Sequence, residues 1–183
     1  MQNNEETKTV FHALLDAKES SKTYKVTFEH WPPIFINGVG GVVLTTANEN
    51  RVTAILASAL DNVCLENFSL LEDPPADEQG LRSIDLDLAL WRAGILWNEN
   101  ILLDNLDLDK KLTLNEWKGF SKKNTFPEHI TLLSALAVMD YSPIELQKIT
   151  KIKMNEVICF VNAGYAVGLL SPTSNVNSQC ASK

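Results

Sequence analysis

Few stretches of this sequence place reactive side chains at spacings that chemistry uses. Glu29, His30 and Trp31 form the one cluster that mixes titratable and aromatic groups, and a glycine-rich run, Asn37-Gly38-Val39-Gly40-Gly41, follows shortly after it. A histidine beside a carboxylate can move a proton, and backbone N–H groups in a glycine turn can cradle a phosphate, so His30, Trp31, Gly38 and Gly40 define a candidate pocket. The dinucleotide fingerprint would need a third glycine at position 43, where Val43 stands, and a P-loop would need Gly-Lys-Ser or Gly-Lys-Thr, which is absent. The expectation is therefore a turn or bulge that lets the backbone approach a neighbour, with Trp31 packed across a hairpin.

The other stretches fail on the same kind of test. Asp104, Asn105, Asp107 and Asp109 offer oxygen ligands, but an EF-hand loop would place a further ligand at position 111 followed by glycine, and Lys111 and Leu112 occupy those places. His12, His30 and His129 are dispersed. Ser20, Ser21, Ser58, Ser69 and Ser134 lack a Gly-x-Ser-x-Gly elbow. Cys64, Cys159 and Cys180 are odd in number and far apart, which makes neither a disulfide framework nor a zinc site and fits reduced thiols in a cytoplasmic setting. No catalytic, metal-binding or cofactor-binding residue is assigned, and no cofactor is expected.

The residues best placed to meet a partner are Lys148, Lys151, Lys153, Asn155 and Asn162. They could contact an acidic protein surface or a phosphate backbone. A reader of base edges would show Arg, Asn or Gln at several of these places, and no Arg follows Arg92.

The elements that must position them lie in residues 127–172. Ile130, Leu132, Leu133, Leu136, Ala137 and Met139 recur at helical spacing and predict a first helix with these residues inward. Ser142-Pro143-Ile144-Glu145 is a capping box with Pro at the first helical position, and it opens a short second helix on Ile144, Leu146 and Ile149. A third helix starts near Met154, with Val157, Ile158, Val161, Tyr165 and Ala166 inward. Gly168 is placed for a left-handed cap, Leu169 and Leu170 fold back, and Pro172 prevents continuation.

This succession, ending in Ala-Gly-Tyr-Ala-Val-Gly-Leu-Leu, resembles the helical core of winged-helix domains over roughly the last third of the chain. The resemblance implies a third helix that lies in the DNA major groove or serves protein contacts and dimerisation, followed by a two-stranded wing. Residues 171–183 are polar, contain Pro172 and show no second apolar strand. The chain as a whole also resembles bacterial proteins of unknown function.

Composition sets the outer bounds. With 183 residues, 45% apolar and 21% charged, the chain is ordinary for a globular protein. No apolar run is long enough to span a membrane, and the start Met-Gln-Asn-Asn-Glu-Glu is unlike a secretory signal. Residues 1–109 carry 7 Lys and Arg against 18 Asp and Glu, a net of −11, whereas residues 110–183 carry 9 against 5, a net of +4. An acidic majority repels nucleic acid, so attraction between the two parts, or to a protein partner, is the expectation.

Along the N-terminal part the pattern predicts a helix over residues 10–17, a strand over 23–28, a hairpin of 34–36 with 42–44, and a helix over 48–60 capped by Asn48. Residues 62–71 are a strand or an irregular core piece. Residues 72–80 read as an acidic, proline-containing linker, and residues 85–96 as a helix buried on most sides and crossing the centre, with Arg92 paired to a linker acid. Lys111 to Trp117 reads as a strand or extended connector.

The expected fold class is α+β: an acidic part at 1–109 with a small, mostly antiparallel sheet, a connector at 110–126, a winged-helix-like module at 127–172 and a disordered tail at 173–183, the sheet part packed with the module. The expected function is a non-catalytic interaction or regulatory protein acting through protein contacts or self-association as a dimer. The alternatives are a transcription-related DNA binder using Lys148, Lys151, Lys153 and Asn155, and an enzyme whose site is not visible in sequence.

Overall fold

The computed structural model describes residues 9–58, 63–67, 80–97, 100–115 and 126–173, and it is a mixed α+β structure. Contacts divide the chain into two compact units, Met1–Trp97 and Asn98–Lys183. The linker at 72–79, the connector residues 116–125 and the tail at 174–183 lie outside the described residues.

The first unit is built on a five-stranded antiparallel sheet in the order β4-β1-β2-β3-β5: β1 Thr23–Phe28, β2 Ile34–Asn37, β3 Val42–Thr45, β4 Val63–Asn67 and β5 Arg82–Asp85. Register aligns Tyr24 with Ile36, Ile36 with Val43 and Val43 with Ile84, so one row of side chains crosses four strands on a single face. Helix α1 (Val10–Ser20) packs on β1 and β2, and α3 (Leu86–Leu96) packs on β3, β5 and α1. Between them Phe11, Leu14, Ile36, Leu90 and Trp91 are fully buried.

Helix α2 (Glu49–Leu56) begins as expected, with the Asn48 side chain accepting the Arg51 N–H at 3.0 Å, and it is shorter than expected. Its Glu49 takes the Arg92 guanidinium at 2.8 Å, and Thr53 Oγ1 accepts a second bond from Arg92 at 2.8 Å. Arg92 thus pairs with a carboxylate on α2, and the linker acids expected to meet it lie outside the described residues. Strand β5, which carries Ile84, was not expected; the helix expected over 85–96 starts just after Asp85, whose carboxylate caps it by accepting the Leu88 N–H.

The second unit holds α4 (Pro127–Leu136), α5 (Pro143–Thr150) and α6 (Met154–Ala166), with β6 Leu112–Leu114 paired antiparallel to β7 Leu170–Pro172 and bridged at Leu112 to Tyr141. The capping box forms as read: Ser142 Oγ accepts the Glu145 N–H at 3.3 Å and Glu145 accepts the Ser142 N–H at 2.9 Å. Helix α6 closes with Gly168 at φ +75, its N–H donating to the Tyr165 carbonyl while the Leu169 N–H reaches Gly164. A strand does follow α6, contrary to the reading of a polar tail, and its partner lies upstream at 112–114.

That pairing helps explain where the units divide. Residues 101–115 are tied to the C-terminal helices, by Leu112 and by Asn162, so the division falls at Trp97/Asn98 and not at 109/110. Counted by these units, the first carries 7 basic residues against 14 acidic and the second 9 against 9. The whole net charge of −7 belongs to the first unit, and the second is neutral.

Candidate functional site

The pocket expected from His30, Trp31, Gly38 and Gly40 does not assemble. His30 and Trp31 lie in the connection that precedes β2, whereas Gly38 and Gly40 lie in the turn that follows it, so a whole strand separates the two pairs. The His30 side chain is 81% exposed, 3.8 Å from Glu29. Trp31 lies against Phe28, ring centroids 5.8 Å apart. Gly38 is there for a close approach: a Cβ on it would stand 1.9 Å from the Ala17 carbonyl oxygen of α1. Gly40 donates its N–H to Asn37 Oδ1 at 2.8 Å, which closes the turn.

Asn162 is also not a contact residue. It is completely buried, with Oδ1 accepting the Leu103 N–H at 3.0 Å and Nδ2 donating to the Ile101 carbonyl at 2.8 Å. Both ends of the amide are used to hold the segment before β6, as buried polar groups require.

Lys148, Lys151 and Lys153 are neighbours along the chain, Lys148 in α5 and the other two in the three-residue connection 151–153 that leads to α6. All three are exposed, and among the described residues no carboxylate pairs with them. Lys151 holds a left-handed conformation, φ 61 and ψ 13, and its N–H closes α5 on the Gln147 carbonyl. Lys153 occupies the N-cap of α6 and Asn155 the first turn, where it is half-buried. Thr150 Oγ1 braces the turn, donating to the Leu146 carbonyl and accepting the Ile152 N–H.

The surface that sequence reading missed is the outer side of α4. Ile130 and Met139, read as inward, are 56% and 51% exposed, and Ala137 is exposed too. The inward residues are His129, Leu132, Leu133 and Leu136. Outward, Phe126, Ile130, Ser134 and Val138 follow one another at four-residue spacing from the N-cap to the closing turn, and Phe126 and Val138 are 58% and 80% exposed. Thr131 and Ser134 return their hydroxyls to the Pro127 and Ile130 carbonyls, so the polar side chains of this face are already satisfied. Glu128 is the one carboxylate in the helix, which carries no Lys or Arg. The signal was present in sequence: a helix apolar on both sides with almost no charge is not an ordinary surface helix.

His129 fixes the start of α4. Its Nδ1 accepts the Phe126 N–H at 3.3 Å while its ring lies between Phe126 and Phe160, at centroid distances of 5.3 and 5.9 Å. Burial pushes its pKa below the ordinary 6.5, against the pull of Glu128 and Glu156. Burial likewise raises the Cys159 thiol, which suits a small apolar core residue more than a nucleophile.

An open depression of about 360 Å³ in the second unit is lined chiefly by Leu102, Leu106, Leu108 and Ile158, with Asp107 and Asp109 at its edge. Asp107 Oδ1 accepts the Asp109 N–H at 3.0 Å, which makes it a turn-forming carboxylate, in keeping with the reading of that stretch as a turn. Among the described residues no group of three or more His, Cys, Asp or Glu could hold a metal ion, and no helix is long and apolar enough to cross a membrane.

The fold and these surfaces define a two-unit α+β chain with an apolar helix face and a lysine-bearing turn. Comparison with protein-family models, with curated proteins and with solved structures finds no match.

Proposed function

We propose that this chain is a non-catalytic interaction protein that meets another protein surface through its C-terminal unit. The observation that carries this reading is the outer face of α4, where Phe126, Ile130, Val138 and Met139 stand in water although Thr131 and Ser134 have no need of it. Adjacent exposed apolar residues on one element mark contact sites far more often than single scattered ones do. The resemblance of residues 127–172 to a winged-helix core is compatible with this reading, since that core serves protein contacts and dimerisation as well as DNA.

A second reading, nucleic-acid binding by the α5–α6 turn, is favoured by Lys148, Lys151 and Lys153, exposed on consecutive elements. It is opposed by the neutral charge of the second unit and the acidic first one. Titration with random-sequence duplex DNA at roughly 50 and 200 mM salt separates the readings, because phosphate contacts release counterions. The protein-contact reading expects no binding at either salt. Tight binding that collapses with salt and is lost in the variant Lys151→Ala/Lys153→Ala would overturn it.

A further inference from the structure

We infer that His129 is an acid-released latch on α4: protonation of its ring breaks the bond that holds Phe126 at the helix start, and the N-terminal end of the exposed apolar face comes loose. Its consequence for binding rests on the reading of that face as a protein contact; the latch itself does not.

The geometry sets the protonation state. A backbone N–H donates only to an unprotonated ring nitrogen, and the Phe126 N–H donates to His129 Nδ1 at 3.3 Å. A proton on Nδ1 turns that acceptor into a donor aimed at a donor, at the helix end where the dipole already disfavours positive charge. The Phe126 carbonyl in turn accepts the N–H groups of His129 and Ile130 at 3.0 and 3.3 Å. The cap, the first turn and two residues of the apolar face, Phe126 and Ile130, therefore depend on one another.

The same device opens α1. His12 is also the third residue of its helix, its Nδ1 accepts the N–H of the N-cap residue Thr9 at 3.2 Å, and its ring packs edge-on against Trp97 with centroids 5.0 Å apart. Two of the three histidines thus hold one capping position, and that position uses the neutral ring. At His129 burial disfavours the protonated ring and prevails over Glu128 on α4 and Glu156 on α6, which favour it, so release falls below pH 6.5. Of the elements packed on α4, β6 carries no charged residue, and Glu145 and Lys148 of α5 are not among the groups that shift the ring.

NMR of the full isotope-labelled chain between pH 7.5 and pH 5 tests this, following the His129 ring nitrogens together with amide exchange corrected for its intrinsic pH dependence. The expected result is an unprotonated Nδ1 at pH 7.5 and, as the ring titrates, a loss of protection of about fivefold at the His129 and Ile130 amides, the effect of one lost cap. The Ala137 amide, bonded to the Leu133 carbonyl at the far end of the helix, should hold its protection. In His129→Gln, which keeps an acceptor for the Phe126 N–H, the two amides should show no such step. A proton on Nδ1 at pH 7.5, a ring still neutral at pH 5, or a ring that titrates without changing the two amides would each overturn the inference in the parent chain alone, and so would an equal loss in His129→Gln. Release of the first turn in a chain that also binds duplex DNA would uphold the latch while removing the functional reading.

Discussion

His129 shows at the scale of one residue how burial makes a side chain sensitive to pH. The unfolded chain binds a proton on this ring near the ordinary 6.5, whereas the folded chain resists because the ring is buried. The unfolded state therefore holds more protons below that value, and stability falls as pH drops from about 6.5 toward the lower folded pKa. Above 6.5 the group contributes no slope. The variant His129→Gln keeps an acceptor at the third helical position for the Phe126 N–H and removes the titration. Urea unfolding at pH 5 and pH 7.5 should show a smaller difference for His129→Gln than for the parent chain. Residues of this kind were hard to read from sequence. His129 and Asn162 look like exposed polar positions on paper, and only the burial of their neighbours shows that one caps a helix and the other pins residues 101–103.

Elements were more legible because their signals are local. Periodicity located α1, β1, the β2–β3 hairpin, α2, α5 and α6, and cap chemistry placed the starts of α2 and α5 and the end of α6. What failed was the sidedness of α4. With apolar residues on both faces, no pattern distinguishes Ile130 from Leu133, and the helix was assigned one inward stripe where it has an inner and an outer one. Strands β5 and β7 were missed because they are short and their partners are distant in sequence: β5 pairs with β3 across the acidic linker, and β7 pairs with β6 across three helices. The glycine turn makes the close backbone approach expected of it, at Gly38 against Ala17. Its tight approach to α1 makes a prediction: Gly38→Ala should destabilise the first unit by about 3 kcal/mol, since a methyl group 1.9 Å from a backbone oxygen forces α1 and the hairpin apart. Chemical denaturation measures this directly. A cost under about 0.5 kcal/mol, typical of surface sites, would mean that α1 does not press on the turn.

Over the whole molecule, the division at Trp97/Asn98 changes what the charge pattern means. The polarity of −11 against +4 came from cutting at residue 109, and moving Asp104, Asp107 and Asp109 with their neighbours into the second unit leaves that unit neutral. Attraction between an acidic and a basic half is then no longer expected. The proposed protein contact has nucleic-acid binding as its rival, and the most direct test between them is the affinity of the chain for random-sequence duplex DNA at about 50 and 200 mM salt. The protein-contact reading predicts no binding at either salt, and tight binding that collapses with salt and is lost in Lys151→Ala/Lys153→Ala would contradict it.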